Sequence, residues 1–469
     1  MITDEPAGSA SRAVTRAGPL AVLRGLLDRP LASYYLLLAS VGLLLVIGLV
    51  MVFSATSVAA YADSGNPFSS AAKQVGWAVV GLIAFWVCQR LPLQTYRAIC
   101  RSMMIVCISL MVLLDLLAFL SALNTPANHA AVPVHLGPVS ADELWLHVGP
   151  VQMQPAELAK IGLVLWGADT LVRKGNSIGD WRELATPLFP VAVALFALVG
   201  YSDFGTMVCL LLLFIGLLWA AGVRLRVFAV LGVVAIGGMA LLISLKGYRQ
   251  QRLDVFLDPQ HADPNGPAYQ FFQGLYAIAN GGWFGVGLGQ GHLKWGRLPN
   301  GHNDFIFAII AEELGVVGCV VVLTLFGVLA YTGLRIARRS EDPYRRLVAA
   351  GIVTWLVGQA TINIGGVTGL LPITGLPLPF ISDGGSALVV ALAAAGILTS
   401  FARAEPDAAR ALHARPPRRW VQLLWAPLPP LPRGRTPSRR TRTAGSPAAR
   451  PTTGGSTTGR ASATRERSR

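Results

Sequence analysis

The chain has 469 residues, of which 53% are hydrophobic and only 13% charged, about half the charged share of an ordinary soluble domain. Its mean hydropathy is +0.54, and apolar runs of about 20 residues recur along most of its length, which reads as a polytopic membrane protein. Runs of that length exclude an outer-membrane barrel, whose strands alternate over about 10 residues. The net charge of +15 does not point to nucleic acid, because Ala404 to Arg469 holds fourteen Arg, no Lys and three acids, Glu405, Asp407 and Glu466, or +11 of the total. Cys88, Cys100, Cys107, Cys209 and Cys319 lie in or beside apolar runs without paired spacing, and read as packing residues rather than disulfides or a zinc site.

Residues 1–31 contain Arg12, Arg16, Arg24 and Arg29 and no apolar segment followed by a small-residue cleavage site, so they read as a cytoplasmic arm. Apolar stretches near 33–54, 72–89, 103–122, 156–172, 186–200, 204–222, 226–245, 305–333, 347–367 and 385–402 predict about ten transmembrane helices in a domain spanning 32–403. An even number places both termini on one side. Arg and Lys concentrate in alternate loops (Arg90, Arg97 and Arg101; Arg173, Lys174 and Arg182; Arg224 and Arg226; Arg335 to Arg346), which marks that side as cytoplasmic. The longest opposite loop, 246–304, between the seventh and eighth helices, is extracytoplasmic and too long to be a mere connector. Residues 404–469, rich in Arg, Pro, Thr and Gly, are expected to be a disordered cytoplasmic tail that is solvated or adheres to lipid.

Several residues invite chemistry. Gln154-Pro155 opens a helix with Pro at its first position, and Glu157 and Lys160 then share one face. They read either as an ion pair locking the bundle or as a polar site in which Lys160 meets phosphate. Asp203, in the turn before the sixth span, suits a helix cap or a cavity group. Arg249 and Arg252 lie in an interfacial helix where they would hold pyrophosphate or anionic lipid. The stretch Asn280 to Gly291, NGGWFGVGLGQG, lacks the register of a nucleotide loop and predicts tight turns and close backbone approach. After Lys294 and His302 come Asn303 and Asp304 at the start of the eighth span; Asp304 either caps the helix or, flanked by Phe305 and Phe307 and partly desolvated, acts as a general base. The scattered histidines support no built-in catalytic metal.

Together these segments resemble the SEDS family (shape, elongation, division and sporulation), and within it the FtsW-like division branch. The resemblance rests on FSATS from Phe53, QPAELAK from Gln154, DFGT from Asp203, FLDP from Phe256, the run from Tyr269 through KWGRLPNGHNDFIFAIIAEELG, and GLLPITGLPLPFISDGGS from Gly369. It implies a peptidoglycan glycosyltransferase that polymerises lipid II into β-1,4-linked glycan outside the bacterial cytoplasmic membrane, at the division septum. The cofactor it leaves room for is a divalent cation, Mg or Mn, and the partners it implies are a class B penicillin-binding protein transpeptidase and other divisome proteins. By the same resemblance Asp304 is the essential loop aspartate, Glu157, Lys160 and Asp203 line a central cavity, and Lys294 is the basic residue ahead of the aspartate. The chain departs from the family at Ala141 to Leu146, where an Arg pair is missing, at Ser202, where Pro is usual, and at Asp383. A lipid II flippase needing Glu157, Lys160 and Asp203 in a polar path, or a non-catalytic scaffold recruiting a transpeptidase, are the alternatives.

Overall fold

The computed structural model describes residues 25, 27–124, 134–136, 139–141, 144–149, 151–175, 177, 181–262, 266–293, 295 and 298–431. In chain order the first half contains α1 (Ala32–Ser64), α2 (Ser69–Arg90), α3 (Leu93–Asn124), a four-stranded sheet, α4 (Pro155–Lys174), the short α5 (Trp181–Ala185), α6 (Leu188–Ser202), α7 (Phe204–Ala221) and α8 (Leu225–Ser244). The second half contains α9 (Gly247–Leu257), α10 (Pro267–Gly281), α11 (Ile306–Arg339), α12 (Pro343–Val367), α13 (Gly385–Arg403), α14 (Pro406–Ala414) and α15 (Arg419–Leu424). The all-α expectation holds for a membrane bundle. Every apolar stretch read from the sequence coincides with a helix, and eight of these helices are long and apolar enough to cross a membrane. Of the other two, α6 is apolar but 15 residues long, and α4, 20 residues long, carries Glu157, Lys160 and Asp169 on its buried side.

Burial sorts these helices. α12 and α13 are enclosed, and α2 approaches α13 closely at Gly396, where a Cβ would lie 2.4 Å from the Phe85 carbonyl oxygen. α8 has no buried residue at all. A helix apolar all round that packs on the protein only through half-buried side chains such as Phe228 and Leu242 has lipid as its solvent over the rest of its surface.

The loop before α4 is more regular than its sequence suggests. β1 (Val134–Leu136), β2 (Val139–Ala141), β3 (Leu146–Val148) and β4 (Val151–Met153) form an antiparallel meander, with Ala141 opposite Leu146 and Val148 opposite Val151. Strands of three residues carry too little alternation to be read from sequence. Their consequence is positional: the β2–β3 connection brings Leu144 and Trp145 over the end of the bundle.

The span expected at 305–333 is broken. Gly315, inside α11, has φ 66 and ψ −164, which interrupts the helical ladder. The Gly-rich segment fills the gap: the amides of Val286 and Gly287 donate to the carbonyls of Glu312 and Glu313, while the amides of Val316 and Val317 donate to the carbonyls of Gly282 and Trp283. Backbone freed within a span needs protein partners because lipid supplies none. The buried carboxylates at the break join in. Glu313 accepts from the Ser54 hydroxyl of α1 at 2.7 Å and from the Gly289 amide at 3.0 Å, and Glu312 accepts from the His292 amide at 3.0 Å.

Residues 404–431, within the stretch expected to lack structure, form α14 and α15, with Ala408 and Ala409 fully buried. Residues 432–469 and 1–24 lie outside the described residues.

Gly315→Ala tests the break. A Cβ there would lie 2.4 Å from the Gly285 nitrogen, on a backbone conformation that costs an L residue about 1–3 kcal/mol by itself. The variant should melt at lower temperature in detergent, and the amides of Val286 and Gly287 should exchange hydrogen faster while those of α12 do not.

Candidate active site

At the end of the bundle opposite the Arg-rich loops is a cavity of about 400 Å³. Its walls come from Gln154 ahead of α4, the α6–α7 turn at Asp203, the first turns of α9 at Arg249 and Arg252, the residues leading into α11 at Asp304, and the α12–α13 loop from Pro372 to Pro377. Four residues singled out by sequence, Asp203, Arg249, Arg252 and Asp304, therefore border one space although about 100 residues separate the first from the last.

Asp304 does not cap its helix. Phe305 takes the N-cap position of α11 and makes no side-chain cap bond. Instead the Asp304 carbonyl accepts from Asn363 Nδ2 of α12 at 2.7 Å; the same nitrogen donates to the Leu376 carbonyl at 2.7 Å, and the Ser382 hydroxyl donates to the Asn303 carbonyl at 2.7 Å. These bonds fasten the start of α11 to the α12–α13 loop. That loop is held from below where Gly48 of α1 lets the backbone of Phe380 and Ile381 approach; a Cβ at Gly48 would lie 2.6 Å from both. With its main chain fixed, Asp304 turns its carboxylate toward the cavity, and that carboxylate receives no hydrogen bond from a described residue; its Oδ1 is buried and unpartnered. Burial pushes the carboxyl up to about 6, against the pull of the Arg252 guanidinium and with a further push from the Asp203 carboxylate.

Asp203 is placed differently. It caps α7, accepting from the Thr206 amide at 2.9 Å and the Thr206 hydroxyl at 2.7 Å, and it accepts from Gln154 Nε2 at 2.9 Å. The two arginines differ as sharply. Arg249 donates to the carbonyls of Leu242 at 3.0 Å and Tyr201 at 2.9 Å and to the Tyr248 hydroxyl at 3.1 Å, so it pins α9 to the ends of α6 and α8. Arg252, with its guanidinium 5.8 Å from the Tyr248 ring centre, makes no hydrogen bond or ion pair with a described residue. Its donors, beside Gly375 and Asp304, face the cavity unused.

Glu157 and Lys160 lie deeper. Lys160 Nζ donates to Glu157 Oε1 at 2.7 Å and to Gln359 Oε1 at 2.9 Å, the pair is 0–1% exposed, and neither residue lines the cavity. His302 is exposed and outside the cavity lining; its carbonyl accepts from the Asp383 amide at 3.1 Å. Burial raises the Asp383 carboxyl, opposed by His302 and Lys73. Lys294 lies outside the described residues, as do Asp142 and Glu143; of the stretch lacking the Arg pair, Leu144 and Trp145 contribute cavity lining.

Sequence reasoning passed over Asn363, which holds Asp304, and Glu312 and Glu313, which are fully buried. The glutamates did carry a signal, since ionisable groups inside an apolar span are rarely idle. Among the described residues no group of three or more His, Cys, Asp or Glu is placed to hold a metal ion. A carboxylate has about four lone-pair sites, and Asp203 uses only part of them. It suits Mg or Mn bound through one carboxylate plus substrate phosphates.

Comparison with known proteins follows the same residues. The FtsW, RodA and SpoVE model, described as cell cycle protein, matches residues 34–406. The chain is 42% identical over 404 residues to the probable peptidoglycan glycosyltransferase FtsW of Mycobacterium tuberculosis, covering 86% of this chain and 74% of that protein. It is 35% identical to stage V sporulation protein E of Bacillus subtilis, covering 77% of this chain and 94% of that protein. Among solved structures it superposes with a TM-score of 0.61 and 26% identity on a chain from a study of the structural coordination of polymerization and crosslinking by a peptidoglycan synthase complex, covering 79% of this chain and 97% of that one. Rod shape determining protein RodA of Thermus thermophilus, at 24% identity, a TM-score of 0.55 and coverage of 79% and 96%, shares the fold. The resemblance read from the motifs is borne out.

The depth of Glu157 and Lys160 generates a stability prediction. Lys160→Met strands a buried carboxylate and should cost about 3–5 kcal/mol, whereas Glu157→Gln combined with Lys160→Met should recover most of that loss. Denaturation of the single and double variants in detergent measures both. A double variant no more stable than Lys160→Met would show that Lys160 is held by something other than its partner.

Proposed function

The chain belongs to the FtsW, RodA and SpoVE family of cell cycle proteins, and on that premise we propose that it is a peptidoglycan glycosyltransferase polymerising lipid II at the outer face of the bacterial cytoplasmic membrane. The observation that carries the reading is the Asp304 carboxylate: its Oδ1 buried, without a hydrogen-bond partner among the described residues, raised to about 6, and facing a cavity beside an arginine that no described residue engages. A general base works best with a pKa near the working pH and an open acceptor site.

The donor sugar is α-linked to pyrophosphate and the glycan is β-linked, so one displacement at the anomeric carbon suffices. Asp304 takes the proton of the acceptor 4-hydroxyl as that oxygen bonds to the anomeric carbon. The bond from that carbon to the pyrophosphate oxygen breaks, and the electron pair leaves with undecaprenyl pyrophosphate. Arg252, whose planar donors match phosphate oxygens, stabilises the departing charge. Arg249 holds α9 so that Arg252 is presented, and Lys160 acts at a distance from the cavity. A divalent cation, bound through Asp203 and the pyrophosphate, would supply further charge neutralisation.

Asp203 is a weaker choice of base because its carboxylate already caps α7. A transporter would require a polar path past Glu157 and Lys160, and the Lys160 ammonium is instead engaged by Glu157 and by Gln359 of α12. The partner we propose is a class B penicillin-binding protein transpeptidase, supported by the structural likeness to a protein from a peptidoglycan synthase complex. The division septum is the proposed location, supported by the similarity to FtsW proteins.

Two measurements test this reading. In a cysteine-free background, a cysteine at His261 should react with a membrane-impermeant thiol reagent applied to intact cells and one at Glu341 should not; the reverse would place the cavity on the cytoplasmic side. Asp304→Asn preserves size but offers no proton acceptor, so purified protein should fold, bind lipid II and polymerise it at a rate lower by about a hundredfold or more. Polymerisation at near the parent rate would remove Asp304 as the base.

A further inference from the structure

The segment after α13 is fastened to the Arg-rich end of the bundle by its own main chain. Trp86 Nε1 donates to the Leu424 carbonyl at 2.6 Å, Gln89 Nε2 to the Trp425 carbonyl at 3.2 Å, and Arg90 to the Leu423 carbonyl. Trp425 Nε1 donates to the Tyr34 hydroxyl at 2.6 Å, and Arg403 to the Ala426 carbonyl at 3.3 Å. The donors from α2 occupy its last turn, Tyr34 the first turn of α1, and Arg403 the end of α13. The segment is therefore held at the level where three helices leave the membrane.

Its outward side is not that of a solvated strap. Trp420, Leu423 and Leu424 are 59%, 71% and 64% exposed, and they follow closely on Arg415, Arg418 and Arg419, which are exposed and have no carboxylate partner among the described residues. This apolar surface continues onto the exposed face of α2 formed by Ile83, Trp86 and Val87, which faces lipid if α2 crosses the membrane. Exposed Trp and Leu, flanked by arginines and contiguous with a lipid-facing span, have the composition that settles into the headgroup region of a bilayer.

We propose that residues 415–425 form an interfacial anchor for an anionic bilayer surface. Trp420, Leu423 and Leu424 insert at the boundary between headgroups and acyl chains, and Arg415, Arg418 and Arg419 contact lipid phosphates. The main-chain bonds to Trp86, Gln89 and Arg90 transmit that attachment to α2, and through it to α13. Each arginine near an anionic surface favours the attached state by about fivefold at low ionic strength, and salt weakens this within a Debye length.

The full chain, reconstituted into vesicles of phosphatidylcholine alone or with about one third phosphatidylglycerol, tests the proposal. In a cysteine-free background an environment-sensitive fluorophore is attached at Leu423→Cys or, as a control, at Glu341→Cys. The label at 423 should be quenched by lipid-borne nitroxide at least about threefold more than the label at 341, and shielded from aqueous iodide. Combining Arg415→Gln, Arg418→Gln and Arg419→Gln should reduce the phosphatidylglycerol dependence by at least fivefold. Hydrogen exchange across 415–425 in the unsubstituted protein provides an independent reading, with slower exchange expected in the anionic vesicles. Equal iodide access at 423 and 341 with unchanged exchange would overturn the proposal, as would shielding from both quenchers that arises only when a partner protein is added, which would make the surface a protein-docking site.

Discussion

Main chain that abandons helical geometry within a membrane has no water to turn to, so its freed amides and carbonyls must find partners in the protein. The arrangement around Asp304 follows from that constraint. The break in α11 at Gly315 is closed by the Gly-rich segment, whose amides cover the carbonyls of Glu312 and Glu313. The α12–α13 loop, also irregular, is closed by Asn363 and Ser382, and through them onto Asn303 and Asp304. The second of these irregular segments is the one that fixes Asp304. Its carbonyl is engaged by Asn363 while its carboxylate receives no hydrogen bond from a described residue.

Electrostatics then separates groups that sequence treats as equals. Asp203 and Asp304 border the same cavity, but Asp203 is occupied by its own helix cap and by Gln154, and its charge raises the Asp304 carboxyl. Arg249 and Arg252 lie one helical turn apart, and main-chain carbonyls take up the first while the second keeps its donors for the cavity. Glu157 and Lys160 neutralise each other beneath this layer, where a lone charge would be costly. Among the described residues the division of labour is a partly desolvated acceptor, a cation without a hydrogen-bond partner, and a buried pair that keeps the interior neutral.

Much of this was legible in the sequence. The helices fall where apolar runs of span length fall, because hydrocarbon thickness sets that length. The i, i+3 pairing of Glu157 with Lys160 followed from helical spacing, but their distance from the cavity did not, since Gln359 of α12 closes over them from about 200 residues away. The two readings of Asp304, cap or cavity group, could be parted only by structure, which gives the cap position to Phe305. The broken helix was hidden for a similar reason. AEELG favours helix locally, and the break occurs where the segment around Gly285 packs against Gly315. Residues 415–425 looked unstructured because their own main-chain carbonyls accept from side chains of α2, a form of attachment that leaves no hydrophobic periodicity.

The central claim is that a buried carboxyl with a pKa near 6 accepts the proton in glycan polymerisation, with Arg252 as the cation that holds it down. The pH dependence of polymerisation by purified protein and its Arg252→Gln variant tests both halves together. The base must be ionised to act, so the parent rate should rise through pH about 6 and then level. Removing the guanidinium removes the influence that favours the ionised form, so the rising limb of Arg252→Gln should move to higher pH, whatever the height of its plateau. A parent profile flat from pH about 5 to 7.5, or a limb that stays in place when Arg252 is replaced, would contradict the account.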